Sequence, residues 1–285
     1  MNVTPMVSVA VPGLDDHDLA VPDAPAALGV VEGTLRSARS QGRKLIVPYV
    51  TGGFGTDWLD VVRSVAHAGA DAIEIGIPFS DPVMDGPIIQ AASEQALRSG
   101  VTPGQLLAEL SSIDVGVPLI VMTYYNIVFR AGLERFAQTM AASGISGAIL
   151  PDVPLEEIGP WARQADQAAV ETILLAAPTA SDGRLERVCR RARGFVYAVG
   201  LLGVTGERAT LAATSLVIAR RLKDMTDKPV LVGVGVSTPQ QAVEVCEQAD
   251  GVVIGSALMR RVLDGEGPHG AETFIASVRK ALDAG

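Results

Sequence analysis

Gly69-Ala70-Asp71-Ala72-Ile73-Glu74-Ile75-Gly76-Ile77-Pro78 is the stretch on which the reading of this chain turns. A turn at Ala68-Gly69-Ala70-Asp71 ends one helical pattern, a short apolar run follows, and Pro78 closes it. The run at 72–77 lacks the alternation of a sheet with one wet face. It reads as a parallel strand covered on both sides. Only Glu74 interrupts it. A carboxylate flanked by Ile73 and Ile75 either points into a closed barrel or disrupts a layer of covering helices. Two readings are open for it. One is a buried glutamate satisfied by hydrogen bonds or an ion pair. The other is an acid–base group whose pKa is raised by burial.

The same kind of run recurs along the chain, at 45–50, 72–77, 118–122, 147–150, 172–175, 195–199, 229–232 and 252–254. Between the runs lie amphipathic helical patterns, at 58–67, 133–143, 155–167, 184–191, 211–223 and 240–248. Thr102-Pro103 and Thr238-Pro239 place a cap before a first-turn proline, and Gln241 is positioned to complete a capping box with Thr238. Alternating β and α units form either a barrel or an open doubly wound sheet. A dinucleotide fold should carry G-x-G-x-x-G after its first strand, and Gly52-Gly53-Phe54-Gly55 lacks that spacing. Eight strands favour a single-domain (β/α)8 TIM barrel of the α/β class. The longest interval, between the second and third strands, holds two helical patterns (88–98 and 105–111), hence an extra helix inserted on the catalytic face. The expected division is a flexible N-terminal extension at 1–33 and the barrel at 34–285.

With 285 residues, 48% hydrophobic, the chain can bury one large core. Its net charge of −9 argues against a surface that tracks nucleic-acid phosphates. An anionic small substrate would need local amides or dipoles, because the field of the whole protein opposes it. Cys189 and Cys246 fall in helical patterns and read as buried apolar residues of a reducing compartment. No run approaches a membrane span, and the first 31 residues lack a basic region followed by an apolar core. A soluble, cytoplasmic protein is the expectation.

In such barrels the chemistry gathers where strands end at their C-termini. Glu74 lies there, and Asp85 follows in a Pro/Gly-rich loop, where a turn or cap is the bland alternative. None of the four lysines, Lys44, Lys223, Lys228 and Lys280, lies at a strand C-terminus, which excludes a Schiff-base aldolase. The three histidines, His17, His67 and His269, are scattered, so no metal site is expected. Acid–base chemistry by carboxylates remains, with Tyr197 as the best-placed phenol, or else simple barrel filling. Strand seven runs into Gly233-Val234-Gly235 and strand eight into Ile254-Gly255-Ser256-Ala257. Paired glycine turns at these two positions, opening a short helix, suit a phosphate better than two ordinary turns do.

These residues carry a resemblance to the tryptophan synthase alpha subunit family. The stretch from Gly69 to Pro82, continuing to Asp85-Gly86-Pro87, resembles that family's long signature. Pro151-Asp152-Val153-Pro154, Gly203-Val204-Thr205-Gly206, Gly233-Val234-Gly235 and Gly255-Ser256 follow in the family's order, and the likeness covers about residues 34 to 280. It implies retro-aldol cleavage of indole-3-glycerol phosphate to indole and glyceraldehyde 3-phosphate. It further implies Glu74 as the catalytic glutamate and Asp85 as the partner of the indole N–H. Tyr197 would stand near the breaking bond and Tyr49 against the indole. Thr205 would reach toward the carboxylates from a mobile loop at 200–208, and Gly206, Gly235, Gly255 and Ser256 would hold the phosphate. No cofactor is implied in this chain, since pyridoxal phosphate belongs to the beta subunit, the implied partner in an alpha2-beta2 assembly.

The chain departs from the family pattern at Gly200-Leu201-Leu202, where a serine-led polar segment is usual, at Gly55 and at Met84. Two other readings stay open at this point: a stand-alone lyase of secondary metabolism and a non-catalytic activator of a beta subunit. Intact Glu74 and Asp85 weigh against the second.

Overall fold

The computed structural model describes residues 21–200, 208–233 and 235–284, with the side chains of 208–213 excepted. Eight strands close a barrel in sequence order: β1 (Leu45–Thr51), β2 (Ile73–Gly76), β3 (Leu119–Met122), β4 (Ile145–Ile149), β5 (Glu171–Ala176), β6 (Val196–Ala198), β7 (Val230–Val232) and β8 (Gly251–Ile254). Every neighbouring pair is parallel, β8 with β1 included. The expected TIM barrel is what the chain forms.

Strand geometry sends alternate side chains to opposite faces, so each strand divides between two cores. One core fills the barrel: Leu45 and Val47 of β1, Ala72 beside β2, Ile120, Ile149, Ile173, Phe195, Leu231 and Val253. The other lies between barrel and helices and takes Ile73 and Ile75 of β2. Glu74 sits between those two isoleucines and two residues after Ala72, in the inward set. Its strand thus resolves the alternative left open above: the carboxylate points into the barrel.

Helix α1 (Val30–Ser40) closes the barrel's N-terminal end, with Val31 and Leu35 packed in the inner core. Its first turn has no local side-chain cap. Instead the Val31 and Glu32 amides donate to the Glu171 carboxylate of β5, at 2.5 and 3.1 Å. A carboxylate facing free N–H groups at a helix start is favoured by the helix dipole as well as by the bonds. The boundary expected at 33/34 therefore falls inside an ordered helix, and residues 30–33 belong with the barrel. Of the rest of the expected extension, residues 21–29 run up to α1 without regular secondary structure, and residues 1–20 lie outside the described residues.

Two more carboxylates secure the same end. Asp71, just before β2, meets Arg43 Nε at 2.6 Å and Arg279 Nη1 at 3.4 Å, and accepts the Ile46 amide at 2.8 Å. Asp250, just before β8, meets Lys223 at 2.7 Å and Arg39 at 3.1 Å, and accepts the Val230 amide at 2.8 Å. These buried acids have cations and amides to answer them.

Helix α2 (Trp58–His67) joins β1 to β2, and between β2 and β3 the chain forms two helices as anticipated, α3 (Pro87–Arg98) and α4 (Pro103–Leu110). The last begins with a full capping box between Thr102 and Gln105. At Thr238 the box is incomplete: its side chain accepts the Gln241 amide, but the Gln241 side chain turns to the Ser237 amide at 2.8 Å. A second short helix between β3 and β4, α5 (Tyr125–Ala131), precedes α6 (Leu133–Ala142) and was not anticipated from the sequence. No described helix is long and apolar enough to cross a membrane.

Asp71→Ala tests the N-terminal clamp. It leaves Arg279, 7% exposed, with Asp283 as its remaining carboxylate partner. We expect a loss of about 3–5 kcal/mol in chemical denaturation, as for a broken buried pair, with turnover per folded molecule unchanged. A loss below about 1 kcal/mol would show that the clamp does not support the barrel.

Candidate active site

At the opposite, C-terminal end of the barrel the charge balance reverses. Glu74 is 1% exposed, and its Oε2 has no hydrogen-bond partner among the described residues. Burial first, and the nearby Asp85 charge second, push its pKa up to about 8. Desolvation disfavours the charged form, and a like charge adds to the effect. Among the described residues neither Glu74 nor Asp85 makes an ion pair, whereas Asp71, three positions earlier, has two arginines. A carboxyl group near its own pKa at neutral pH can both give and take a proton.

Asp85 lies in the loop that joins β2 to α3. Burial raises its pKa, and a hydrogen bond from the Tyr124 hydroxyl opposes that rise. The bond is 3.1 Å long. Tyr124 lies two residues past β3, stacks on Phe79 with ring centroids 4.9 Å apart, and its oxygen accepts the Met84 amide at 3.0 Å.

Two further phenols cross the mouth. Tyr49 of β1 is the register partner of Glu74 and by strand alternation lies on the same side as Leu45 and Val47. A Cβ at Gly76 would fall 1.8 Å from its hydroxyl oxygen, so β2 must end in glycine for Tyr49 to lie there. Tyr197 of β6 lies in the same way over Gly233, where a Cβ would fall 2.0 Å from its ring. Burial raises both phenol pKa values, and the charges of Glu74 and Asp85 raise them further. Both stay protonated at neutral pH, as hydrogen-bond donors. Four expected residues, Glu74, Asp85, Tyr49 and Tyr197, are thus brought within electrostatic reach of one another.

The expected phosphate residues border this group. Gly255 precedes helix α11 (Ser256–Leu263), counting α7 (Gly159–Gln167), α8 (Asp182–Arg191), α9 (Arg208–Met225) and α10 (Pro239–Cys246) before it. A Cβ on Gly255 would sit 3.5 Å from Tyr49 Cβ, which places the helix start beside the mouth. Ser256 is exposed at the first helical position. Gly235, two residues beyond Gly233, has φ +63°, with nothing among the described residues within 4 Å of where a Cβ would stand. Thr205 and Gly206 lie outside the described residues, as does most of the loop expected at 200–208. Among the described residues no three His, Cys, Asp or Glu side chains gather as metal ligands.

Sequence reasoning missed Tyr124. The signal was present, since Met122-Thr123-Tyr124 puts a phenol just past a strand C-terminus, the end of the barrel where chemistry gathers.

The sequence profile of the family described as "Tryptophan synthase alpha chain" matches residues 35–282. The chain is 40% identical over 257 residues to the tryptophan synthase alpha chain of Streptomyces coelicolor, covering 87% of this chain and 95% of that one. It is 42% identical over 241 residues to the alpha chain of Thermobifida fusca, covering 82% and 89%. Among solved structures, a chain of Mycobacterium tuberculosis tryptophan synthase superposes with a TM-score of 0.83 at 34% identity, covering 91% of this chain and 100% of that one. The alpha chain from Legionella pneumophila gives 0.81 at 31% identity, covering 90% and 98%. In this family the chain is a lyase without a cofactor of its own, the pyridoxal phosphate belongs to the beta chain, and the beta subunit is the partner. On a profile match that spans the barrel, and on relatives that it covers almost end to end, the chain belongs to the tryptophan synthase alpha chain family.

Proposed function

We propose that the chain cleaves indole-3-glycerol phosphate with Glu74 as the proton-transferring group. The observation that carries this reading is a buried carboxyl with no cation beside it among the described residues, its pKa pushed up to about 8, at the C-terminal end of a barrel strand. The reaction needs a proton delivered to indole C3 and a proton removed from the carbinol hydroxyl. Protonated Glu74 gives its proton to C3, leaving a ring that carries positive charge at the N–H. The bond from C3 to the carbinol carbon then breaks and its electron pair returns to the ring. The hydroxyl proton passes to the Glu74 carboxylate as the aldehyde forms, which restores the starting acid.

Asp85, ionised, stabilises the positive ring through its N–H. Tyr49 and Tyr197, held over Gly76 and Gly233, wall the site and offer neutral O–H donors near the breaking bond. The amides at Gly235, Gly255 and Ser256 take the phosphate, with Gly206 assigned to the same site, and Thr205 to the carboxylates, by family pattern. A helix start suits an anion in a chain whose net charge of −9 repels one elsewhere. Buried, unbridged Cys189 and Cys246 accord with a cytoplasmic setting.

Glu74→Gln keeps the shape and removes the exchangeable proton. It should lower kcat by ~10²–10⁴-fold while leaving KM nearly unchanged. Retention of a tenth of parental turnover in the folded variant rules the role out. The same variant has a stability signature. The folded pKa of about 8 lies above the ordinary value of 4.5, so between these values unfolding releases a proton and parental stability falls as pH rises. Glutamine has no such dependence. The stability of Glu74→Gln relative to the parent should therefore increase from pH ~5 to ~8, read by denaturant midpoints. A pH-independent difference contradicts the burial argument.

Ser256→Asp tests the phosphate assignment. A carboxylate at the first helical position is tolerated by the helix but repels a second anion. KM should rise by about tenfold or more, equivalent to ~1.4 kcal/mol, with kcat much less affected. An unchanged KM puts the phosphate elsewhere.

A further inference from the structure

Asp85 differs from Glu74 in how it is held. Glu74 sits within a strand, whereas Asp85 belongs to a loop whose internal ties are few. The Asp85 amide donates to Pro82 O at 3.0 Å, and its carbonyl accepts from Gln90 at 2.8 Å. Neither contact orients the carboxylate. The neighbouring Val83 and Met84 side chains are exposed.

Tyr124, by contrast, is fixed from several directions. It directly follows Thr123, whose amide donates to Ile149 O of β4 at 3.0 Å. The Asp152 carboxylate, in the loop after β4, accepts the Tyr125 amide at 3.0 and 3.1 Å. The Tyr124 carbonyl accepts the Ile127 amide at 3.1 Å, the first turn of α5. Its ring is buried and stacked on Phe79. A phenol fixed in this way presents one oxygen to two groups of the loop opposite. It donates to Asp85 Oδ2 and accepts the Met84 amide.

We propose that Tyr124 is the positioning residue for Asp85, its hydroxyl clasping the carboxylate and the loop backbone together against the end of β3. The inference rests on the reading of Asp85 given above and extends it to a residue that acts through Asp85 rather than on the substrate. The charged and titratable groups that bear on Asp85 are Tyr124, Glu74 of β2, Tyr49 of β1 and Tyr197 of β6; Asp152 bears on Tyr124. Of these, only the Tyr124 hydrogen bond favours the ionised form of Asp85. That is the form needed beside a positive ring.

Tyr124→Phe in the full chain removes one oxygen and keeps the stack on Phe79. Three measurements on it decide the matter. First, kcat/KM for indole release should fall about tenfold or more, the scale of a hydrogen bond to a charged group. Second, a carbon-13-labelled Asp85 carboxyl should titrate at higher pH in the variant than in the parent, by at least about half a unit. Third, in an Asp85→Asn background the same substitution should cost almost nothing further. An equal loss in both backgrounds, or an unmoved Asp85 titration, overturns the clasp and leaves Tyr124 as packing. Should Asp85→Asn itself retain full activity, the role given to Asp85 fails; the titration alone then decides whether Tyr124 sets its state.

Discussion

A carboxyl group with no ion-pair partner among the described residues, enclosed at the mouth of a barrel, is the constraint around which this structure is arranged. Taking an ionised carboxylate out of water costs far more than a typical domain's whole stability margin unless it is paired or neutralised. Glu74 is not paired among the described residues, so it is held protonated up to about pH 8. Its surroundings conform to that state. Tyr49 and Tyr197 remain phenols, Asp85 stands close enough to raise the Glu74 pKa further, and Gly76 and Gly233 give up side chains so that both rings fit.

The two ends of the barrel handle acidity in opposite ways. At the N-terminal end Asp71, Asp250 and Glu171 each meet arginine, lysine or a row of amides, and each ties a helix or a strand start in place. At the C-terminal end the described residues around Glu74 and Asp85 are phenols and apolar side chains instead. One strand carries both solutions: Asp71 stands just before β2, and Glu74 lies within it. Stability is concentrated where the acids are compensated, and reactivity where they are not. That division matches the general separation of functions in barrels of this type. An acidic chain can still bind a phosphate ester if backbone amides, rather than side-chain cations, do the binding.

Much of this was legible in the residues. The run around Glu74, with no alternation and a single charge, already implied a covered parallel strand, and eight such runs implied closure. The direction of the Glu74 side chain was not legible alone. It follows from pleat parity once Ala72 and Ile73 are assigned to different cores, which needs the closed sheet. The first turn of helix α1 was read as part of an extension because its cap, Glu171, is supplied from β5, about 140 positions away. Helix caps read from sequence are local, and a distant carboxylate leaves no local trace. Gln241 pairing with Ser237 rather than Thr238 is a smaller case, where two amides compete for one acceptor. Tyr124 was passed over because its importance lies in what it touches, a loop carboxylate 39 positions earlier.

The central claim is that Glu74 is a neutral acid at pH 7 because of where the fold puts it, and isotope-edited infrared spectroscopy tests it directly. With carbon-13 glutamate incorporated and Glu74→Gln as the subtraction control, the protonated carboxyl stretch of Glu74 should be present at pH 6 and disappear with a midpoint near 8. A Glu74 signal already in the carboxylate region at pH 6, titrating near 4.5, would contradict the account.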